Sequence, residues 1–313
     1  MQRHSHDSGP ADRMAAWSGR ATPGAHPWLR AVLLAAGLIA GATGCAEPPA
    51  SGRIAYVSEA DEKHGEIYVV NADGSGAVRL TDNQAVEGGP AWSPDGRRLA
   101  FSSRQDDNDD VYVMDADGSH VVRLTDHPAY DGEPAWSPNG QRLAFRSDRD
   151  GNAEIYVMGA DGSGVTRLTH EPEHDGWPAW SPDGRRIAFT SDREGNPDLY
   201  VMEADGSHVE RLTGDPAWDF WPAWSPDGRR IAFTSGRDGS LQIYVLEIGS
   251  RTLARLTSGP LDSGAPTWSP DGRYVAFVSG NALCRVGAGG SGLTWLIQGE
   301  DVVRDPAWGP APS

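Results

Sequence analysis

The chain has 313 residues, and 44 Asp and Glu against 27 Lys and Arg give a formal net charge of −17. An acidic chain lacks the basic footprint that nucleic-acid binding requires, which excludes that class. Twelve Trp exclude a disordered chain, and two cysteines are too few for a disulfide framework. The length suits one large all-β domain or two ordinary domains.

Residues 1–44 have the pattern of an export signal, with Met1 or Met14 as its start. Arg20 and Arg30 precede an apolar run at residues 31–40. This run is too short to span a bilayer and is typical of the core of a secretion signal. The sequence therefore predicts an exported protein.

The signal ends in the residues Ala42-Thr43-Gly44-Cys45, which resemble a bacterial lipoprotein signal. The resemblance implies that residues 1–44 are removed and that Cys45 is lipidated. Residues 45–51 would then form a short tether, and the protein would be anchored in the cell envelope, on its periplasmic side or at the cell surface. Ordinary secretion with an incidental cysteine is the alternative.

The rest of the chain is one unit repeated six times. Its markers are Trp92, Trp136, Trp180, Trp224, Trp268 and Trp308, spaced by 44, 44, 44, 44 and 40 residues. A complete unit has a Trp-Ser-Pro-Asp-Gly turn, an apolar run, an Ile-Tyr-Val-Met-like strand, an Ala-Asp-Gly-Ser turn and an Arg-Leu-Thr strand. Four short strands repeated at this period predict an all-β propeller of four-stranded blades.

The two ends of the repeat region predict how the ring closes. Residues 53–56 match the second strand of a unit, without the Pro-Ala-Trp strand that should precede them, and residues 306–308 are that missing strand. Joining the two gives six blades, one of them built from both termini, which removes open sheet edges. The sixth blade is degenerate and places Cys284, expected to be a buried and inert thiol, where the other units have Tyr.

The segment Trp-Ser-Pro-Asp-Gly-Arg-Arg-Ile-Ala-Phe-Thr-Ser-Asp-Arg at residues 180–193 resembles the WD40-like repeats of the TolB-type propeller. The resemblance covers residues 52–308 and implies a six-bladed propeller over 52–313 that binds a protein in the cell envelope. Proteins of the TolB type carry an α/β domain before the propeller, whereas a short tether precedes the first blade strand here.

Alternating strand direction divides the loops between two faces. The turn face carries the near-identical Ser-Pro-Asp-Gly and Ala-Asp-Gly-Ser turns, whose chemistry alone accounts for them. The loop face carries the loops that differ from blade to blade, as binding loops on a rigid scaffold do. The sequence therefore places a binding site on the loop face.

The loops that precede each Pro-Ala-Trp strand supply the candidate ligand-binding residues. Carboxylates stand three residues before the Pro at Glu87, Asp131, Asp175 and Asp219. The flanking side chains are Tyr130, His174, Trp177, Trp218, Phe220 and Trp221. We expect an arc of unpaired carboxylates and partly exposed aromatics at the channel mouth, suited to a cationic or Arg-bearing protein or peptide. The alternative is that the acids cap loop amides and the aromatics fill gaps between blades.

A metal site and an enzymatic activity are two alternative hypotheses for the loop face. His127, His170 and His174 share the loop face without a ligand-spacing signature, and residues 148–152 and 192–196 only superficially resemble Ca²⁺ loops. A cation such as Ca²⁺ at the channel mouth is a further alternative. We expect no cofactor and a non-enzymatic monomer, because no catalytic constellation is recognised; the alternative is a metal-dependent hydrolase or lyase at the channel mouth.

Charged residues in the hairpins of the loop face are expected to form structural ion pairs between blades. The acids are Asp110, Glu154 and Asp198, and the bases assigned to them are Arg104, Arg149, Arg193 and Arg237.

Overall fold

The computed structural model describes residues 50–59, 64–105 and 108–311, and all regular structure in these ranges is β-strand. The predicted signal peptide, Cys45 and tether residues 46–49 lie outside the described residues. Among the described residues, no helix is long and apolar enough to cross a membrane.

Within the described ranges, twenty-four strands form six antiparallel four-stranded sheets, as the repeat predicted. Blade 1 consists of β24 (Val303–Gly309), β1 (Arg53–Ser58), β2 (Glu66–Asn71) and β3 (Val78–Arg79). Blade 2 consists of β4 (Glu87–Trp92), β5 (Arg98–Gln105), β6 (Asn108–Asp115) and β7 (Val122–Arg123). Blade 3 consists of β8 (Asp131–Trp136), β9 (Arg142–Ser147), β10 (Glu154–Gly159) and β11 (Thr166–Arg167).

The remaining blades repeat the same order of strands. Blade 4 consists of β12 (Asp175–Trp180), β13 (Arg186–Ser191), β14 (Asp198–Glu203) and β15 (Glu210–Arg211). Blade 5 consists of β16 (Asp219–Trp224), β17 (Arg230–Ser235), β18 (Gln242–Glu247) and β19 (Leu253–Arg255). Blade 6 consists of β20 (Ser263–Trp268), β21 (Tyr274–Ser279), β22 (Ala282–Gly287) and β23 (Thr294–Ile297).

The ring closes in blade 1, where the last strand pairs with the first. In the β1–β24 ladder, Ile54 lies opposite Trp308 and Ala55 opposite Ala307. The innermost strand of each blade contacts the innermost strands of both neighbouring blades, blade 1 included. The predicted six-bladed ring with termini sharing one blade is therefore confirmed.

Apolar side chains between consecutive blades form the core. Between blades 2 and 3, for example, Ala100 and Val111 pack against Leu143, Phe145 and neighbouring residues. The equivalent Phe in blades 2 to 6 is at most 1% exposed, and burying one such side chain contributes about 1.5–3 kcal/mol. Each sheet is apolar on both faces because a blade has a neighbour on each side.

A cation–π contact between blades recurs beneath the turn face. The Arg that begins the second strand lies over the Trp of the next blade, as Arg98 does over Trp136 at 4.8 Å to the ring centroid. The junction between blades 6 and 1 differs because Tyr274 replaces that Arg and stacks on Trp308, with ring centroids 6.4 Å apart. The blades are thus held in register by aromatic contacts near the axis.

The cysteine of blade 6 is buried as expected. Cys284 is fully buried in β22, and burial raises the pKa of its thiol to about 12. At neutral pH this thiol is protonated and unreactive.

Candidate functional site

A bulge in every innermost strand builds the channel mouth at the loop face. At each bulge, the residue before the Pro has a φ between 50° and 58°, and these partly exposed residues are Gly89, Glu133, Trp177, Trp221, Ala265 and Asp305. We call these six residues the mouth ring. A positive φ is uncommon for Trp or Glu. Because all six blades share it, the strained backbone belongs to the scaffold, and only the side chains it displays differ.

The two acids of the mouth ring tie neighbouring blades together. Oε2 of Glu133 accepts a hydrogen bond of 2.7 Å from the backbone N–H of Trp177 in the next blade. Oδ2 of Asp305 accepts one of 3.3 Å from the N–H of Gly89. Arg146 lies 3.4 Å from Oε1 of Glu133 and Arg304 lies 2.8 Å from Oδ2 of Asp305. Burial raises the pKa of Glu133 although Arg146 is beside it.

Three aromatic side chains of blades 4 and 5 form one side of the mouth. Trp177, Phe220 and Trp221 have ring centroids 4.6–6.3 Å apart, in tilted and edge-to-face arrangements; we call them the aromatic wall. Phe220 is buried, whereas Trp177 and Trp221 are partly exposed, as Trp218 is. The sequence predicted this partial exposure. The wall offers a rigid apolar surface beside the carboxylate of Glu133.

Two further predicted residues flank the wall. Tyr130 lies under the guanidinium of Arg146, 4.8 Å from ring centroid to Cζ, and is partly exposed. His174 is exposed, and its backbone N–H donates to Oδ1 of Asp192 at 2.7 Å. Both therefore lie on the loop face as predicted.

The four predicted carboxylates are not exposed, which corrects the expectation of an unpaired acidic arc. Glu87, Asp131, Asp175 and Asp219 are at most 1% exposed. Three of them form ion pairs with an Arg of the hairpin that follows the second strand of the same blade: Asp131 with Arg149 at 2.8 Å, Asp175 with Arg193 at 3.0 Å and Asp219 with Arg237 at 2.9 Å.

The neighbouring strand explains why these pairs form. The register places Asp175 opposite Ser191, and Arg193, two residues further on, folds back so that its Nε donates to the Ser191 hydroxyl at 2.8 Å. The guanidinium then reaches the buried carboxylate. Ligand contact by Glu87, Asp131, Asp175 and Asp219 stays a prediction, and it requires these buried arrangements to open.

Glu87 is the exception among the four because Gln105 takes the place of the Arg. Nε2 of Gln105 donates to the hydroxyl of Ser103, as the Arg does to the equivalent Ser in blades 3 to 5. Oε1 of Glu87 accepts a hydrogen bond of 2.8 Å from Asn83, but among the described residues no Lys or Arg forms an ion pair with Glu87. Burial raises the pKa of Glu87 to about 7.

The acids Asp110, Glu154 and Asp198 form ion pairs, but with arginines other than the predicted ones. Asp110 pairs with Arg123 at 2.6 Å and Glu154 with Arg167 at 2.6 Å, while Asp198 pairs with Arg211. These are the Arg residues of the Arg-Leu-Thr strands, so the predicted pairing with Arg104, Arg149, Arg193 and Arg237 was wrong. The period of the Arg-Leu-Thr motif was the signal that could have revealed the true partners.

The charge exposed on the loop face is acidic. Its described arginines all pair with carboxylates: Arg104, Arg146, Arg149, Arg193, Arg237 and Arg304. Exposed carboxylates on this face include Glu173, Glu194, Glu300 and Asp301. The exposed negative charge of the loop face is therefore carried by loop acids rather than by the four predicted positions, and such charge attracts cations.

The described residues contain no cluster of metal-ligating side chains. No group of three or more His, Cys, Asp or Glu side chains that could hold a metal ion occurs within them. In the loop at 148–152, Asp148 pairs with Arg146 and Asp150 with Arg167. The convergence of ligands that the hydrolase or lyase alternative requires is thus not present in this part of the chain.

Together, the ring and the displayed side chains define a six-bladed propeller with one invariant face and one variable, aromatic and acidic face. The sequence profile of the TolB beta propeller domain matches residues 46–175, 134–221 and 171–286. The chain belongs to the TolB β-propeller family.

Individual relatives agree with this assignment. The Tol-Pal system protein TolB of Syntrophotalea carbinolica is 42% identical over 53 residues, 17% of this chain. The chain spans 12% or less of the length of the curated relatives that it matches. The crystal structure of TolB from Acinetobacter baumannii superposes with a TM-score of 0.76 at 29% identity, covering 84% of this chain and 68% of that chain.

A propeller enzyme shares the fold at lower identity. An oligogalacturonate lyase in complex with manganese superposes with a TM-score of 0.56 at 15% identity, over 78% of this chain and 73% of that chain. At this identity the likeness concerns the fold alone.

Proposed function

We propose that this protein is a lipid-anchored propeller of the bacterial cell envelope that binds a protein or peptide partner on its loop face. The observation that carries the proposal is the aromatic wall, whose two tryptophans are partly exposed beside Glu133 on a face whose described arginines are all ion-paired. Partly exposed aromatics on a rigid scaffold are typical of contact surfaces. Membership of the TolB family supports a partner in the envelope.

The charge of the face indicates the chemistry of the partner. Exposed carboxylates attract cations, and aromatic faces bind guanidinium and ammonium groups. The partner would therefore present a segment with Arg or Lys next to an apolar side chain. Its affinity should fall as salt concentration rises, because exposed charges are screened over about 8–10 Å at physiological ionic strength.

The proposal is tested by capture and by measured affinity. Envelope proteins crosslinked to the native chain are identified by mass spectrometry, and the purified partner is then titrated against variants. We expect Trp177→Ala with Trp221→Ala to weaken binding by about 2 kcal/mol, or about 30-fold in Kd. The matched control is Trp295→Ala, which removes a tryptophan that is 42% exposed on an outer strand, away from the mouth.

The outcomes are distinct. Equal affinity of the double variant and the parent places the partner elsewhere and rejects the proposed face. Equal loss in the Trp295 control would show a nonspecific effect of losing tryptophan. Thermal unfolding of each variant separates loss of binding from loss of fold. We expect the protein to be a monomer in light scattering.

A further inference from the structure

The point where the chain joins the propeller is fixed at the turn face. Residues 50–52 precede β1, which begins at the same end as the Ser-Pro-Asp-Gly turns. Nε1 of Trp308 donates to the carbonyl of Ser51 at 3.0 Å, and the N–H of Ala72 donates to the carbonyl of Gly52 at 3.2 Å. Ala50 packs against the apolar cluster that contains Trp308. The exit point is therefore held to the innermost strand β24 and to the end of β2 in blade 1.

We propose that the anchor sets the orientation of the propeller: its turn face lies toward the membrane, and its loop face cannot touch that membrane. This inference rests on the proposed lipidation of Cys45. It adds a direction of approach to the proposed binding function, because the partner must reach the mouth from the aqueous side.

The length of the tether carries the argument. Cys45 precedes Ala50 by five residues, which span at most about 18 Å when fully extended. To turn the loop face to the bilayer, the tether would have to pass two further strands of blade 1, about 10 Å at about 4.8 Å per strand. It would then have to descend the length of the six-residue strand β1, about 20 Å at 3.3 Å per residue.

The path outside the rim is thus about 30 Å, which exceeds the reach of the tether. A path through the channel is no shorter than the strand itself, about 20 Å, and also exceeds that reach. The partner chemistry that fits is therefore a soluble protein or a segment that extends into the aqueous compartment. A surface embedded in the same leaflet does not fit.

A pair of labels in one blade tests the orientation. Arg185 is exposed in the Ser-Pro-Asp-Gly turn of blade 4, and Glu173 is exposed in the loop that precedes β12 of the same blade. The lipidated full chain carries Arg185→Cys or Glu173→Cys, each labelled with a small fluorophore; Cys284 is buried and does not react under native conditions. The proteins are reconstituted in phosphatidylcholine vesicles with nitroxide on a fraction of the headgroups.

We expect quenching at position 185 to exceed quenching at position 173 at least threefold. Equal or reversed quenching overturns the inference. A control with about 15 Gly/Ser residues inserted between Ala46 and Glu47 lengthens the tether beyond the rim path and should reduce the difference. A difference that persists in this control shows that something other than tether length sets the orientation, and also overturns the inference.

A second arm separates this inference from the proposed lipidation. In it, a hexahistidine tag replaces residues 45–49 of the mature chain, so that the tether stays short while it binds vesicles that contain a chelating lipid. If mass spectrometry finds native Cys45 unmodified, the lipid anchor fails, while asymmetric quenching on the chelating vesicles still supports the geometry. If Cys45 is lipidated and quenching is equal in both arms, the geometry fails and the anchor stands.

Discussion

Glu87 makes the stability of blade 2 depend on pH, because burial raises its pKa, as burial also raises the pKa of Asp175 in blade 4 and of Asp219 in blade 5. Its pKa is about 7 in the folded protein against an ordinary value of 4.5, because the carboxyl is buried, and Gln105 stands where blades 3 to 5 have an Arg that pairs with the equivalent carboxylate. The folded state therefore holds this proton more tightly than the unfolded chain does. The contribution of Glu87 to stability is greatest below about pH 4.5 and is lost as pH rises toward 7.

The magnitude follows from the shift in pKa. About 2.5 pH units at 1.36 kcal/mol each correspond to about 3 kcal/mol of unfolding free energy lost above pH 7. Gln105→Arg should supply the missing cation, lower the pKa of Glu87 and raise stability at pH 8. Glu87→Gln should remove the same pH dependence without adding a cation.

Urea unfolding at pH 5 and pH 8 measures both effects, with the parent and the two variants compared at each pH. The matched control is Arg149→Gln, which gives Asp131 of blade 3 the arrangement that is natural in blade 2. It should destabilise the protein at pH 8, by about 3–5 kcal/mol, because a buried charge loses its partner. An unchanged difference between pH 5 and pH 8 in Glu87→Gln would refute this account of the carboxyl.

Three further outcomes are expected. Cys45→Ser should release the protein from the membrane fraction, and mass spectrometry of the parent should find a lipidated N-terminus; retention of the variant would contradict the anchor. Deleting residues 305–313 removes most of β24 with buried Trp308 and should cost at least about 3–5 kcal/mol in urea unfolding, far more than deleting residues 46–51. Asp175→Ala should lower the unfolding free energy by about 1–3 kcal/mol, since Arg193 loses its acceptor; no change would favour an accessible, ligand-facing carboxyl.

The architecture could be predicted because its causes are local and periodic. Turn residues and β-branched residues recur every 44 positions, so strand order and blade number follow from counting. The half-unit at Arg53 and the strand at Trp308 identified the closing blade for the same reason. Partial exposure of Trp177 and Trp221 also followed from position in the repeat.

The chemistry of the candidate site could be predicted less well because it depends on side-chain reach. The period places Asp175 at the loop face, but it does not show that Arg193 folds back over Ser191 and covers the carboxyl. The backbone conformation at the mouth could not be predicted from the sequence either. A residue before Pro is normally extended, whereas Glu133 and Trp177 have positive φ. Only the ring as a whole imposes that bulge.

The pairing of β1 with β24 also determines when blade 1 can be completed during folding. The innermost strand of blade 1, β24, follows the strands of blades 2 to 6 in the described part of the chain, so β1 to β3 are synthesised long before the strand that completes their sheet. This contact spans some 250 residues of sequence and makes closure the slow, late step of folding. A chain that ends before β24 therefore leaves β1 as an open sheet edge, and an open edge favours aggregation.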